Sequence, residues 1–239
     1  MSSTARSIRY PFETPPGPGA AIEVADGVLW LRLPLPMALD HVNVFALEDG
    51  DSWTLIDTGI GTAHAREVME AALAGPLAGK PVGRVLVTHH HPDHIGLAGW
   101  FMDRGAELLT TRTAYLMARM LMLDVQDTPV AEALAFYRAA GTAPKLLEKR
   151  AGERPFNFAD VLSPLPLGFT RIQDGETLDL GGRRWRVRIG HGHAPEHATL
   201  WSKDDNLILA GDQLLPSISP NLGVYPTEPE ADPVADWLT

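Results

Sequence analysis

One short stretch of the chain concentrates side chains that bind divalent cations. It spans residues 88–96 and reads Thr-His-His-His-Pro-Asp-His-Ile-Gly. His89 and His91 are two positions apart, so in an extended loop their imidazoles project to the same side. Asp93 and His94 follow a stiffening proline and offer an adjacent binding point. Imidazole and carboxylate together suit Zn²⁺, Fe²⁺ or Mn²⁺, so this stretch predicts a metal site rather than a solvated loop.

A second group of candidate ligands lies farther along the chain. Segment 190–197 contains His191, His193 and His197, and Asp212 follows a later apolar run. With the first stretch, this segment holds seven of the nine histidines. Both histidine clusters and Asp212 come at the ends of apparent strands. Because the ends of neighbouring strands meet at one edge of a sheet, we expect all of them to form one site.

Short apolar and β-branched runs predict the strands that position these residues. The runs that precede the two clusters and Asp212 are 83–87, 185–189 and 207–210. Upstream, runs at 22–24, 28–32, 41–47 and 53–57, separated by turn residues, predict an antiparallel meander. Further strands are predicted at 107–110, 169–172, 176–180 and 198–201, and helices at 62–74 and 97–103.

The segment 111–150 interrupts this run of strands. Its composition predicts three helices, at 113–123, 130–140 and 144–150. Their methionine-rich, aromatic-bearing faces have two interpretations, which are packing in the core and roofing of a substrate pocket. Both interpretations stay open at the level of sequence.

The length of 239 residues supports one large domain or two small ones, and the prolines and glycines of residues 1–20 predict an extended lead-in. The formal net charge of −10 argues against a nucleic-acid surface, which needs a basic patch. The absence of cysteine excludes disulfides and thiolate metal sites, so any metal is held by histidine and carboxylate. Neither a signal peptide nor an apolar run long enough for a bilayer is visible, and we expect a cytoplasmic protein without a membrane partner.

The first stretch resembles the T-H-x-H-x-D-H-x-G signature of the metallo-β-lactamase superfamily, and every position matches. Three further segments are similar to later or earlier motifs of that superfamily. They are Asp57-Thr58-Gly59, Gly192-His193 with His197, and Gly211-Asp212. The resemblance spans roughly residues 28–223 and is closest to hydrolases related to the glyoxalase II and lactamase-like-2 groups. It implies a single domain over residues 1–239 with an α/β fold, the αββα sandwich, and with segment 111–150 as a helical insert.

The resemblance also implies a binuclear site. Zinc is the first expectation for its two divalent ions, with iron and manganese as alternatives. Asp57 would orient a ligand, and His197 would be a nearby histidine that is not a ligand. The implied ligands are His89, His91 and His193 for one ion, Asp93 and His94 for the other, and Asp212 as the bridge.

The implied chemistry is hydrolysis by a hydroxide held between the ions, which lower the pKa of bound water from about 15.7 toward about 7. Asp93 would be both a ligand and the proton acceptor. Superfamily substrates include β-lactams, thioesters, acyl-homoserine lactones and phosphodiesters, and we expect a small-molecule thioester, carboxylic ester or lactone here. The alternatives are a phosphodiesterase, which the acidic charge disfavours, a flavodiiron-type redox protein, and a non-catalytic chain with one metal.

The chain departs from the superfamily pattern in one respect. That pattern has a further histidine ligand near its C-terminal end, and no histidine follows His197 here. Asp232 and Pro233 have the residue types of a helix start, yet the chain ends at Thr239. The expectation is a C-terminally truncated domain in which the second ion lacks one protein ligand, water replaces it, or a partner chain supplies the missing part. The oligomeric state stays open.

Overall fold

Two β-sheets, each built from consecutive strands, form the frame of the molecule. The computed structural model describes residues 8–239, so residues 1–7 of the predicted lead-in lie outside the described part. The larger sheet contains β1 (Ile22–Ala25), β2 (Val28–Pro34), β3 (His41–Asp49), β4 (Ser52–Ile56), β5 (Val82–Leu86), β6 (Glu107–Thr110) and β7 (Thr170–Arg171), in that order. The smaller sheet contains β8 (Thr177–Leu180), β9 (Arg183–Gly190), β10 (His197–Ser202) and β11 (Ile208–Leu209).

The larger sheet changes direction halfway across. Strands β1 to β4 pair antiparallel, which confirms the predicted meander, whereas β4 to β7 pair parallel. A two-residue turn at Gly50 and Asp51 joins β3 to β4, and Gly50 has a φ of 63°. The central strand β5 ends in the buried residues Val85 and Leu86, as expected for a parallel strand covered on both faces.

Helices lie on the outer face of the larger sheet, in the connections that follow its strands, and at the end of the described chain. They are α1 (Ala63–Ala74), α2 (Pro92–Ile95), α3 (Ala98–Met102), α4 (Arg112–Leu123), α5 (Ala131–Ala139), α6 (Pro144–Ala151) and α7 (Pro233–Leu238). Thr62 caps α1 by accepting a hydrogen bond from the Ala65 N–H, and Asp232 caps α7 in the same way through Ala235. None of the helices within residues 8–239 has the length and apolar character needed to cross a membrane.

Two hydrophobic cores separate the layers. The first lies between the larger sheet and its helices and includes Leu55, Met69 and Phe101. The second lies between the two sheets, where Ile56 and Leu86 of the larger sheet belong to the same cluster as Trp185 of the smaller one. This arrangement of helix, sheet and sheet is an α/β sandwich, as the resemblance implies. It leaves the ends of β4, β5, β9 and β11 free to carry the candidate site.

The three predicted helices of segment 111–150 are present as α4, α5 and α6. Only α4 contributes several buried residues, Ala114, Tyr115 and Ala118, and the ring of Tyr115 stacks on Phe169 at 4.3 Å between centroids. Among the described residues of α5, none is buried. The block therefore attaches to the core through α4, and α5 and α6 lie farther out.

Candidate metal centre

The candidate ligands come from four chain segments that meet at one edge of the sandwich. The loop after β5 carries His89 and His91, and the short helix α2 carries Asp93 and His94. The turn between β9 and β10 carries His193, and the segment after β11 carries Asp212. Ligand sites of open α/β sheets lie at the carboxyl ends of strands, and this site follows that rule.

Three imidazoles form the first donor group. His89 Nε2 lies 3.0 Å from His91 Nδ1, and His193 Nε2 lies 3.1 Å from His91 Nδ1 and 3.2 Å from His89 Nε2. Two nitrogens bound about 2.0 Å from a tetrahedral zinc ion are about 3.3 Å apart, so this spacing fits a common cation. Burial lowers the pKa of His91 to about 2 and also lowers those of His89 and His193. The three rings are therefore neutral and have lone pairs to donate.

The second donor group combines His89 with His94 and Asp212. His94 Nε2 lies 3.4 Å from Asp212 Oδ2 and 3.6 Å from Asp93 Oδ2. This nitrogen is buried and has no hydrogen-bond partner in the described part of the chain. A buried polar atom without a partner is costly, and a cation between it and the two carboxylates would remove that cost. The residues present therefore fit a metal here as well.

Asp57 holds His94 from behind. Its Oδ2 lies 2.8 Å from His94 Nδ1, so Nδ1 carries the proton and Nε2 faces the site. Its Oδ1 accepts a hydrogen bond from the Thr88 N–H at 2.8 Å. Asp57 has a φ of 64°, which is rare for a residue with a side chain and is best tolerated by asparagine and aspartate. Asp57 belongs to neither donor group, and its contacts are those of an orienting residue.

The charges around His94 dominate the electrostatics of the site. Burial alone would lower the pKa of His94, but the carboxylates of Asp57, Asp93 and Asp212 outweigh it and raise that pKa well above its usual value. Burial alone would raise the pKa of Asp212, but His94 outweighs it and holds that pKa well below its usual value. The site thus gathers three carboxylates around one buried imidazole, an arrangement that attracts cations.

Contacts on both sides hold His193 and His197 of the second histidine segment in place. His193 Nδ1 lies 3.0 Å from the Asn221 carbonyl oxygen, which fixes this ring with Nε2 toward the other imidazoles. His197 is buried, stacks on His89 at 4.4 Å, and accepts a hydrogen bond from the Asp212 N–H at 3.2 Å through Nε2. Burial lowers the pKa of His197 to about 3, so this ring is neutral.

A close approach at Gly211 explains why glycine precedes Asp212. Gly211 has a φ of 50°, and a Cβ there would lie 2.7 Å from His197 Cε1. Asn221 could not be predicted from the sequence, because it acts through a backbone carbonyl, which leaves no side-chain signature. The glycine before an aspartate was the only sequence signal for the close packing at His197.

The remaining histidines of the two clusters lie apart from the donor groups. His90 is buried, lies nearly parallel to Phe158 at 6.4 Å between centroids, and burial lowers its pKa to about 4. His191 is exposed and accepts a hydrogen bond from the Glu196 N–H at 3.4 Å through Nδ1.

The structure brings all six predicted ligands into one place. The main difference from the predicted scheme concerns Asp93, which lies beside His94 with a side chain that is 20% exposed and belongs to neither donor group. His89 takes part in both groups, whereas the sequence analysis placed it with one ion. Which atoms bind which ion remains a prediction.

A family model described as the metallo-beta-lactamase superfamily matches residues 37–238, which is most of the chain. This chain belongs to that superfamily. The resemblance inferred from the motifs is thereby confirmed, and so is the αββα sandwich that it implied. Superfamily members bind divalent metals, and the histidine and aspartate groups described above are consistent with that property.

Individual relatives agree with the superfamily assignment. A probable metallo-hydrolase from Bacillus subtilis, YqjP, is 29% identical over 202 residues, which cover 82% of this chain and 60% of the relative. A beta-lactamase domain protein from Burkholderia ambifaria has a similar structure, with 37% identity, a TM-score of 0.81, and coverage of 96% of this chain and 68% of that protein. A metallo-beta-lactamase family protein from Thermus thermophilus has 32% identity, a TM-score of 0.74, and coverage of 90% and 68%.

These superfamily relatives are longer than the chain, which spans only 60% of the length of the Bacillus protein. The similarity therefore establishes the superfamily and the sandwich.

Proposed function

We propose that this chain is a metal-dependent hydrolase that acts on a thioester, a small carboxylic ester or a lactone. The observation that carries the proposal is the pair of donor groups that share His89, with the buried Nε2 of His94 left without a partner. Most buried polar atoms have a hydrogen-bond partner, and a bound cation would give this nitrogen one. The superfamily membership and the similarity to a probable metallo-hydrolase support a hydrolytic reaction.

Each residue of the site has a distinct part in the proposed mechanism. His89, His91 and His193 would hold one divalent ion, and His94, Asp212 and the adjacent Asp93 would hold a second. Such ions, when bound, activate water at neutral pH and polarise the carbonyl oxygen of the substrate.

The protein groups then control the proton and the orientation. Asp57 holds the Nδ1 proton of His94, so that Nε2 faces the site and would release its own proton when it binds a metal. Asp93 Oδ2, on a partly exposed side chain, accepts the proton that the attacking water loses. The Asn221 carbonyl holds His193 in the orientation that completes the group of three imidazoles. None of these steps needs a serine or cysteine nucleophile.

The charge of the molecule supports an uncharged ester rather than a phosphodiester of a nucleic acid. The net charge is −10, and the carboxylates of Asp57, Asp93 and Asp212 surround His94. A polyanionic substrate would be repelled by this surface unless local basic groups compensated.

The test is a panel of chromogenic thioesters, carboxylic esters, lactones and phosphodiesters with added Zn²⁺, Mn²⁺ or Fe²⁺. We expect turnover of an ester, thioester or lactone that a chelator abolishes. His89→Ala should lower kcat/KM by more than about a hundredfold, because even contacts behind metal ligands are worth ten- to a hundredfold. His64→Ala is the matched control, since His64 is an exposed histidine on α1 that belongs to neither donor group.

Metal content completes this test. Elemental analysis of the purified chain should give two divalent ions for the native sequence and fewer for His89→Ala. A single ion in the native chain would favour the one-metal alternative. Full activity of His89→Ala on a substrate that the native chain hydrolyses would disprove the proposed mechanism.

A further inference from the structure

A cavity of about 520 Å³ opens directly beside the candidate metal centre. His91, a member of the first donor group, forms part of its wall. Another part of the wall comes from the helical insert, where Met117, Met120 and Leu121 of α4 line the cavity. This volume lies within the range of pockets that hold small organic ligands. We call this space the α4 cavity.

The lining of the α4 cavity is predominantly apolar. Besides the α4 side chains, Phe156 and Phe158 line it from the segment that follows α6. Met120 is 50% exposed and Phe156 is 65% exposed, so both present apolar surface to the opening. Methionine is flexible and adapts to ligands of irregular shape, and aromatic rings supply large contact areas. The cavity therefore suits a hydrocarbon chain or an aromatic ring.

The charges at the α4 cavity disfavour ligands that carry a carboxylate or a phosphate. Asp124 is its one acidic lining residue, and no lysine or arginine lines it in the described chain. A ligand with a carboxylate or phosphate at this depth would find no counter-ion and would face Asp124.

We propose that the α4 cavity binds the uncharged apolar acyl group of the substrate and thereby places the scissile carbonyl beside His91. The inference rests on the proposed hydrolase function and specifies its substrate class, namely esters or thioesters of medium-chain or aromatic acids. It also assigns a role to the helical insert. Met117 and Leu121 become determinants of acyl-chain length.

The first experiment follows acyl length with 4-nitrophenyl esters from acetate to octanoate. For the native chain with Zn²⁺, we expect kcat/KM to rise up to about fourfold for each added methylene until the cavity is filled. Met117→Trp should remove this rise, because the larger ring occupies the space of the longer chains. Leu116→Trp is the matched control, since Leu116 lies on the same helix, is exposed, and is not part of the cavity wall.

The second experiment measures binding without turnover. Calorimetry of alkyl hydroxamates, from acetohydroxamate to octanohydroxamate, on the Zn²⁺-loaded native chain should show affinity that increases with chain length. Met117→Trp, or Leu121→Trp if the first variant does not fold, should abolish that increase. Suberic acid monohydroxamate, which ends in a carboxylate, should bind at least about tenfold more weakly than octanohydroxamate.

The two experiments separate this inference from the proposed function. Hydroxamate binding that depends on chain length, in a protein that hydrolyses no ester, would support the cavity assignment and disprove the hydrolase. Ester hydrolysis with rates that are independent of chain length would support the hydrolase and overturn the cavity assignment. Equal chain-length dependence in Met117→Trp, Leu121→Trp and the native chain would overturn it too, and so would equal binding of the carboxylate-terminated hydroxamate.

Discussion

At the scale of single residues, the pair of Asp57 and His94 decides how the site can act. A histidine has two ring nitrogens, and the partner of one fixes the role of the other. Asp57 accepts a hydrogen bond from His94 Nδ1 at 2.8 Å. His94 Nε2 is therefore the ring nitrogen that can bind a metal, and it lies between Asp93 and Asp212. The left-handed backbone of Asp57 is compatible with this role, because aspartate tolerates a φ of 64° better than most residues.

Asp57→Asn tests this role with little backbone disturbance, since asparagine also tolerates positive φ. We expect the affinity for the metal bound by His94 to fall by about ten- to a hundredfold, because the amide holds the imidazole less firmly than the carboxylate does. kcat/KM should fall as well, and raising the metal concentration should restore it. Competition with a fluorescent chelator measures the affinity. An unchanged affinity would mean that Asp57 serves only the fold.

At the scale of elements, the helical insert is joined to the site through its first helix. Thr111 caps α4 by accepting from the Ala114 N–H, and its hydroxyl lies 3.0 Å from the Glu196 carbonyl oxygen, to which it donates. Glu196 Oε2 accepts from the Thr113 N–H at 2.9 Å. A carboxylate at a helix N-terminus is favourable for the helix dipole. The turn that carries His193 and the helix that lines the α4 cavity are therefore held together by the same residues.

The turn between β3 and β4 provides an element-scale prediction about pH. Asp49 Oδ2 accepts from Thr54 Oγ1 at 2.6 Å and pairs with Arg84 of β5. Burial alone would raise the pKa of Asp49, but these partners outweigh it and lower that pKa. The carboxylate therefore contributes stability above its unfolded pKa of about 3.9, and this contribution is lost as pH falls through the lower folded pKa.

Asp49→Asn should reduce the free energy of unfolding at pH 7 by about 0.5–1 kcal/mol, as is typical for a partly exposed ion pair. Urea denaturation of both proteins at pH 7 and at pH 3.5 measures the difference, which should be smaller at the lower pH. Asp51→Asn, in the same turn, is the control, because it leaves the contacts of Asp49 with Thr54 and Arg84 in place. A difference that stays constant with pH would contradict the ionic origin.

At the scale of the whole molecule, the candidate site joins the two sheets. Asp57, His89 and His91 follow strands of the larger sheet, whereas His193 and Asp212 follow strands of the smaller one. A cation bound by both sets would bind the folded chain and not the unfolded one. Metal binding is therefore expected to stabilise the packing of sheet on sheet.

Removal of metal should lower the midpoint of thermal unfolding. A ligand whose free concentration is a thousand times its dissociation constant stabilises the folded chain by about 4 kcal/mol. For a chain of this size, each kcal/mol raises the unfolding midpoint by about 2–4 °C. Differential scanning calorimetry with Zn²⁺ and with a chelator should thus differ by about 10 °C. His193→Ala should remove most of this difference, and His64→Ala should retain it. Equal midpoints with and without the chelator would argue against a cation between the sheets.

Much of the fold and of the site could be predicted from local patterns. Alternation of apolar residues indicated the strands, and Asp49-Gly50-Asp51 indicated the hairpin because glycine adopts a φ of 63° at no steric cost. The spacing of His89, His91, Asp93 and His94 indicated a metal site because few other structures need that set of donors. These features depend on neighbours in sequence, and the sequence alone therefore determined them.

Other features depend on parts of the chain that are distant in sequence. The side-by-side position of β4 and β5, the sharing of His89 between two donor groups, and the support of His193 by the Asn221 carbonyl arise only when the sheets pack. The sequence left two interpretations for the helical insert, and the tertiary structure decided that α4 lines a cavity beside His91. Local periodicity records which face of an element is apolar, but only packing decides what that face meets.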